Sequence, residues 1–123
     1  MIADLMPLLP LSQSALWAGF VVFVRLSAMM ATMPAFGDQV VPIRVRLALS
    51  LAFTFIVAPA LPILPPPASP LHYGSLALSE AVVGLALGMA IRMFVHAIQI
   101  AGTIAAQSTS LAQVLGGIGA EPM

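Results

Sequence analysis

Long apolar runs separated by prolines dominate the chain, and they predict three helices. The first run ends at Pro34. Serine often caps helix N-termini, so the first helix is predicted to begin at Ser12. The second run, Leu47 to Leu64, contains no charged residue. The third begins near Ser75, and no stretch shows the alternation typical of a strand. The pattern therefore predicts an all-α fold, with helices over residues 12–33, 44–60 and 75–114.

Two proline-rich connections separate the predicted helices. We expect the first from Pro34 to Pro42 and the second from Leu61 to His72, where Pro65 to Pro67 cannot be helical. The unbroken part of the second helix, Arg46 to Ala58, rises only roughly 20 Å, whereas a bilayer hydrocarbon core is about 30 Å thick. This helix therefore either spans a membrane with a kink at Pro59 or is a short hairpin arm covered by other protein.

The amino-acid composition excludes a free soluble domain. Hydrophobic residues make up 61% of the 123 residues and charged residues only 7%, which is too few to cover a soluble surface. Four arginines balance four acidic residues, so no basic face exists for nucleic acid, and without cysteine there is no disulfide or thiolate chemistry. No basic segment precedes the first apolar run, which indicates a retained helix rather than a removable signal. The composition indicates an integral membrane protein or a subunit buried in an assembly.

A small-to-polar stripe runs along the first predicted helix at the helical repeat of about 3.6 residues. Its members are Ser14, Ala18, Val21, Arg25, Ala28 and Thr32. An arginine in mid-helix costs roughly 2.5–3.5 kcal/mol on membrane-insertion scales, so Arg25 should face protein or water rather than lipid. Two interpretations of Arg25 are open. In the functional one, it forms a salt bridge with a partner or faces a pore. In the structural one, its guanidinium caps backbone carbonyls or extends to the membrane surface.

A straight polar stripe follows the third predicted helix, again at about 3.6 residues per turn. It comprises Arg92, His96, Gln99, Thr103, Gln107 and Ser110. In a membrane protein such a stripe faces a bundle interior or a water-filled path. Upstream, Gly84 and Gly88 form a GxxxG motif, which lets another helix approach closely because no side chain stands between the backbones.

Glu80 and Arg92 cannot pair with each other, because twelve helical residues separate them by roughly 18 Å. Each of these charges must find another partner. No carboxylate stands at metal-ligand spacing from His72 or His96, and no catalytic motif is present. The sequence therefore predicts no metal, no cofactor and no enzymatic activity.

Several strings occur in an order typical of one protein family. They are Phe23-Val-Arg25-Leu, Met33-Pro34-Ala-Phe36-Gly37, Val41-Pro42-Ile-Arg44-Val45-Arg46-Leu47, Val57-Ala-Pro59, Glu80-Ala-Val-Val-Gly84-Leu-Ala-Leu-Gly88, and Ala101-Gly102 with Gln107. Over Trp17 to Leu115 the chain resembles the N-terminal half of the FliR/SctT family. Members of that family are inner-membrane components of the flagellar and virulence type III protein export gates, about twice this length. The resemblance implies that this chain is an N-terminal fragment ending at Met123.

The resemblance also implies partners and a location. A FliR-like subunit would assemble with FliP-like and FliQ-like subunits, beside an FlhB-like subunit, into a closed helical gate for unfolded protein substrates. Its N-terminal half would consist of helical hairpins packed on neighbours, in a multi-pass protein of the bacterial inner membrane at a flagellar basal body or secretion-system base. The resemblance fits the flagellar export system and the virulence secretion system equally. By the positive-inside rule, Arg44 and Arg46 would place the first connection in the cytoplasm.

The same resemblance puts a plug of the pore lumen at about residues 110–123, with freedom supplied by Gly116, Gly117 and Gly119. The chain departs from the family pattern here: Gln107-Ser108-Thr109 replaces the usual Gln-Met-Gly, and Gly116-Gly117 the usual Asp-Pro. The expected function is a structural and gating component of a protein export gate. The alternatives are a small-molecule or ion transporter that uses Arg25, Glu80 and Arg92, and an intramembrane enzyme, which the absence of a nucleophile–base pair disfavours.

Overall fold

The computed structural model describes residues 1–63 and 65–119 of the chain. Every regular element in that part is helical, which confirms the all-α prediction. The elements are α1 (Ile2–Leu5), α2 (Leu8–Thr32), α3 (Ile43–Val57), a 3₁₀ turn (Ala58–Ala60) and α4 (Pro70–Gly119).

Prolines end α2 and α3 as the sequence predicted. Met33, the residue before Pro34, is extended (ψ 138°), because the proline ring disfavours the helical conformation of its predecessor. After Val57 the chain tightens into the 3₁₀ turn, since Pro59 has no N–H to continue an α-helix. Leu61 is then extended (ψ 150°) before the next proline. Local chain chemistry is sufficient to explain both ends.

Two helix starts differ from the prediction. Helix α2 begins at Leu8 rather than Ser12, because Pro10 falls in its first turn, where backbone N–H groups have no intrahelical partner anyway. Helix α4 begins at Pro70 rather than Ser75. Ser69 caps it: its carbonyl accepts the N–H of Tyr73 (3.1 Å), and its hydroxyl accepts the N–H of His72 (3.3 Å).

The C-terminal part also differs from the prediction. Residues 110–119 are the last turns of α4 and not a loop, so the prediction of a loop there was wrong as to conformation. Each glycine weakens a helix by about 1 kcal/mol, but a helix satisfies its backbone hydrogen bonds internally, which matters most in an apolar segment. The remaining predicted plug residues, 120–123, lie outside the described residues.

Helix α2 is the centre of the arrangement. Helix α3 folds back antiparallel on it, and α4 lies on it parallel, with Trp17 against Tyr73 near one end and Thr32 against Leu85 further along. No pair of Cα atoms from α3 and α4 lies within 8 Å. The described residues thus form a hairpin and a third helix joined through α2.

Little of the surface is covered within this arrangement. The buried apolar side chains among the described residues are Trp17, Val22 and Met30, while large apolar side chains are exposed along all three long helices. Three segments, Ile2–Thr32, Ile43–Ala60 and Pro70–Gly116, are long and apolar enough to cross a membrane. Their exposed apolar faces require cover by lipid or by other protein.

Candidate functional site

Helices α2 and α4 approach each other closely at the two glycines of the GxxxG motif. Gly84 and Gly88 are both buried. A Cβ atom on Gly84 would overlap the carbonyl oxygen of Arg25, and one on Gly88 would overlap the hydroxyl of Thr32. That hydroxyl also donates to the carbonyl of Leu85 across the interface (3.3 Å). The structure therefore places both glycines in direct backbone contact with α2.

An ion pair lies at one end of this contact. Arg25 Nε is 2.5 Å from Glu80 Oε2, and the Glu80 side chain is only 17% exposed against 47% for Arg25. Oε2 is buried and accepts no hydrogen bond of good angle among the described residues, so the attraction is electrostatic. Arg25 and Glu80 thus neutralise each other, which lowers the cost of placing either charge in an apolar environment.

A second ion pair lies at the other end. Arg92 Nη2 is 3.5 Å from Asp38 Oδ1. The backbone of Asp38 is itself held, because its carbonyl accepts a hydrogen bond from the Arg46 guanidinium (3.3 Å). Both partners are more than a third exposed (37% and 49%), so the pair is worth only about 0–1 kcal/mol. Asp38 nevertheless links α3 to α4, two helices whose described Cα atoms do not come within 8 Å of each other.

The α2–α3 interface is polar at its centre. Ser50 is fully buried, and its hydroxyl donates to the Arg46 carbonyl (2.9 Å) and lies 3.4 Å from the sulfur of Met30. One turn on, the buried Thr54 hydroxyl donates to the Ser50 carbonyl (2.6 Å). Both hydroxyls are satisfied by their own helix, so α3 can pack small side chains on α2 without orphaned polar atoms.

From His96 onward, the polar stripe lies on a part of α4 whose described residues are all exposed, the apolar ones as well as the polar ones. His96, Gln99, Thr103, Gln107 and Ser110 are all exposed, and Arg92 is half-buried at the start of the stripe. His96 Nδ1 lies 3.0 Å from the carbonyl of Arg92, and the hydroxyls of Thr103 and Ser110 donate to carbonyls of their own helix. Gly116, also exposed, has open space around the position of a Cβ atom. The structure therefore leaves the stripe free for another surface.

Two apolar grooves flank α2. One of about 420 Å³ lies between α2 and α3, with Gly19, Phe23 and Phe55 among its lining residues. The other, of about 320 Å³, lies on α2 between the end of α3 and Glu80. Among the residues that the structure describes, no three His, Asp or Glu side chains are placed to hold a metal.

Sequence reasoning missed two contacts that build this site. The sequence pattern places Asp38 only in a connection and indicates no partner for Arg92. Tyr73 was not singled out, although its ring packs edge-on against Trp17 with centroids 4.5 Å apart. Each contact joins residues more than fifty positions apart, and no local pattern reveals such a pair.

Comparison with known proteins identifies the family. Residues 16–116 match the bacterial export proteins, family 1. The chain belongs to this family. The flagellar biosynthetic protein FliR of Caulobacter vibrioides is 36% identical to it over 92 residues, which cover 73% of this chain and 37% of that protein.

Two further relatives carry the same name. FliR of Bacillus subtilis is 41% identical over 88 residues (70% of this chain, 33% of that protein), and FliR of Escherichia coli is 33% identical over 81 residues (66% and 31%). The chain thus spans about a third of the length of these curated relatives. No solved structure matches it. Membership of the export family and the three apolar helices point to a multi-pass location in the inner membrane.

Proposed function

We propose that this export-family chain is a structural and gating part of the flagellar protein export gate. Its neighbours in the pore would be FliP-like and FliQ-like subunits, with an FlhB-like subunit beside them. The observation that carries the proposal is the match over residues 16–116 to bacterial export proteins, with relatives named as flagellar biosynthetic proteins. The part we assign is non-enzymatic, and unfolded proteins would be the cargo.

The exposed apolar faces support an assembled subunit. A helix of 50 residues such as α4 is about 75 Å long, more than twice the thickness of a hydrocarbon core, so lipid alone cannot cover it. Neighbouring helices would cover the remaining apolar surface and both grooves beside α2. This role also suits the charges, because Arg25 and Glu80 neutralise each other rather than present a free charge to a small solute.

The polar stripe supports a path for cargo. An apolar helix in an assembly gains nothing from a continuous line of polar side chains unless that line meets water or polar protein. We assign the stripe to the lumen of the gate, with the turns that contain Gly116 close to its constriction. Glycines make these last turns the easiest part of α4 to unwind.

A cysteine cross-link to cargo tests this assignment in the complete export protein. The chain lacks cysteine, so single cysteines can be placed at Gln107 on the stripe and at Ala105 as a control. Both positions are exposed, but two residues turn a helix by about 200°, so Ala105 lies on the opposite side. We expect an export substrate stalled in transit to cross-link to position 107 and not to 105.

Two results would overturn the proposal. Failure of the tagged complete protein to co-purify with FliP-like and FliQ-like subunits would refute the assembly. Cross-linking equal at both positions, or stronger at 105, in a protein that does co-purify would refute the luminal stripe alone.

Deletion of residues 115–120 tests the gating role. If these residues close the lumen, the deletion leaves the gate assembled but leaky to ions and small dyes. If the deleted gate assembles and stays as tight as the parent, the segment is only a linker to the rest of the protein.

A further inference from the structure

The start of α3 carries two positive charges that the described part of the chain does not neutralise. The other two arginines each pair with a carboxylate, and the third described carboxylate lies beside the amino terminus. Arg44 is exposed and has no carboxylate partner among the described residues. Arg46 is half-buried and donates to a neutral acceptor, the backbone carbonyl of Asp38 (3.3 Å). Two arginines thus remain available to an anion from outside the described chain.

Local helix chemistry gives no reason for these two arginines. Both lie among the first four residues of α3, where the helix dipole is positive and favours acidic rather than basic side chains. The first turn contains no acidic residue, and no side chain caps the helix. A bound anion would remove this repulsion, so the charges at this position suit an occupied surface better than an empty one.

The length of α3 places the two arginines at the level of lipid headgroups. The segment Ile43–Ala60 has 18 residues and rises roughly 27 Å, close to the thickness of a hydrocarbon core at about 30 Å. Helix α4 gives a similar length, since it rises roughly 34 Å from Pro70 to Arg92, which the ion pair with Asp38 holds at the same end as α3 begins. The arginines therefore lie at the edge of the apolar layer, where lipid phosphates are found.

We propose that the start of α3 binds the headgroup of an anionic phospholipid. The planar fork of a guanidinium donates two parallel hydrogen bonds to two phosphate oxygens. Arg44 is exposed and makes this contact, while Arg46, held by the Asp38 carbonyl, adds a second positive charge within the same turn. The acyl chains run along the same side of α3, where Leu47 and Leu51 are exposed. The inference rests on charge and position and does not depend on the proposed function.

An acidic segment of a neighbouring protein is the other possible occupant. The exposed leucines that follow the arginines along α3 favour lipid, because one phospholipid supplies both the negative headgroup and the apolar chains below it. An acidic protein segment would leave these leucines uncovered and would bring carboxylates to the edge of the hydrocarbon core, where they are costly.

Lipid binding to the complete protein, purified in a neutral detergent, tests the proposal. The affinity for fluorescent phosphatidylglycerol is compared with that for phosphatidylcholine with the same acyl chains and fluorophore. We expect the parent to prefer phosphatidylglycerol about 25-fold, because each arginine near a membrane surface contributes about fivefold to the binding of anionic lipid. Inorganic phosphate, which has no acyl chains, should not displace the lipid at equal concentration.

Variants at the start of α3 locate the site. Arg44→Gln should lower the affinity for phosphatidylglycerol about fivefold and leave that for phosphatidylcholine unchanged. Arg44→Gln/Arg46→Gln should abolish the preference. Arg44→Lys is the matched control, because it keeps the charge and should lose no more than about twofold. Since Arg44 is exposed, the single variants should keep the parent's helix content by circular dichroism.

Each result decides the proposal, and Arg44→Gln alone decides it if the double variant does not accumulate. Equal binding of the two lipids by the parent, or an undiminished preference in Arg44→Gln, overturns it. Displacement by an equal concentration of inorganic phosphate refutes a lipid site in favour of a general anion site. If the parent binds both lipids equally but Arg44→Gln no longer co-purifies with other export subunits, the occupant is an acidic protein segment and the proposal is wrong.

Discussion

At the scale of single residues, the close packing of α2 and α4 depends on two glycines, which have no side chain to hold the helices apart. The positions of Gly84 and Gly88 would place a Cβ atom inside backbone or side-chain atoms of α2, whereas the same atom on Gly102, further along α4, would meet nothing within 4 Å. The same substitution should therefore destabilise the chain at position 88 but not at position 102.

We predict that Gly88→Ala lowers the free energy of unfolding by about 1–3 kcal/mol, because the helices must separate to admit the methyl group. Gly102→Ala should leave it unchanged or raise it by up to about 1 kcal/mol, since alanine favours a helix over glycine. Thermal unfolding in detergent micelles, followed by circular dichroism, measures both. Equal effects at the two positions would contradict the close contact.

Ala35 is the described non-glycine residue with a positive φ, at 71° in the first connection. This left-handed conformation costs an L-residue roughly 1–2 kcal/mol, and glycine avoids the cost. We predict that Ala35→Gly raises the midpoint of unfolding, because the free energy of unfolding should increase by about 1 kcal/mol. Ala68→Gly in the second connection is the control: it removes no such strain and should lower the midpoint slightly. A fall at position 35 equal to that at 68 would refute the strain.

At the scale of elements, α4 begins at a serine cap, directly after a stretch of prolines. The chain cannot be helical through Pro65 to Pro67, and Pro70 suits the first helical position because its missing N–H is not needed there. Ser69 then satisfies two N–H groups of the first turn. The start of this long helix is therefore determined locally.

We predict that Ser69→Ala destabilises the chain by about 1 kcal/mol, because the His72 N–H loses its side-chain acceptor. Ser75→Ala should have little effect, since the Ser75 hydroxyl is exposed and only bonds back to a carbonyl of its own helix (2.9 Å). Chemical unfolding of the two variants in parallel checks this. If both lose the same stability, Ser69 is not acting as a cap.

At the scale of the whole molecule, three of the four arginines lie at one end. Arg44 and Arg46 begin α3, and the ion pair with Asp38 brings Arg92 to the same end. From Pro70 to Arg92, α4 rises roughly 34 Å, close to the thickness of a hydrocarbon core. By the positive-inside rule we therefore predict that this end lies in the cytoplasm.

Labelling of single cysteines checks this topology. A cysteine at Gln39 in the first connection should react with a membrane-impermeant maleimide only after the cells are permeabilised. A cysteine at Ala68 in the second connection should react in cells whose outer membrane alone has been opened. Both sites are exposed in the chain, so burial does not distinguish them. The reverse labelling pattern would contradict the assignment.

The helices and most of their ends follow from the amino-acid sequence alone. Hydrogen bonds within a helix join residues four apart, and prolines interrupt them locally, so Pro34, Pro42 and Pro59 are readable without any tertiary information. The same local rule explains the errors. The predicted start at Ser12 was too late, because the first turn of a helix tolerates proline. The predicted loop at the end was wrong, because the helix-weakening effect of the three glycines there is too small to end α4.

The sequence also indicated that Gly84 and Gly88 would face a helix and that Arg25, Glu80 and Arg92 each needed a partner. That α2 is this helix, that α4 lies parallel to it and that Asp38 is the partner of Arg92 become visible only in the folded chain. These contacts join residues more than fifty positions apart, and their pairing depends on the path of two connections. Periodicity along one helix defines which face needs a partner but holds no information on which segment arrives there.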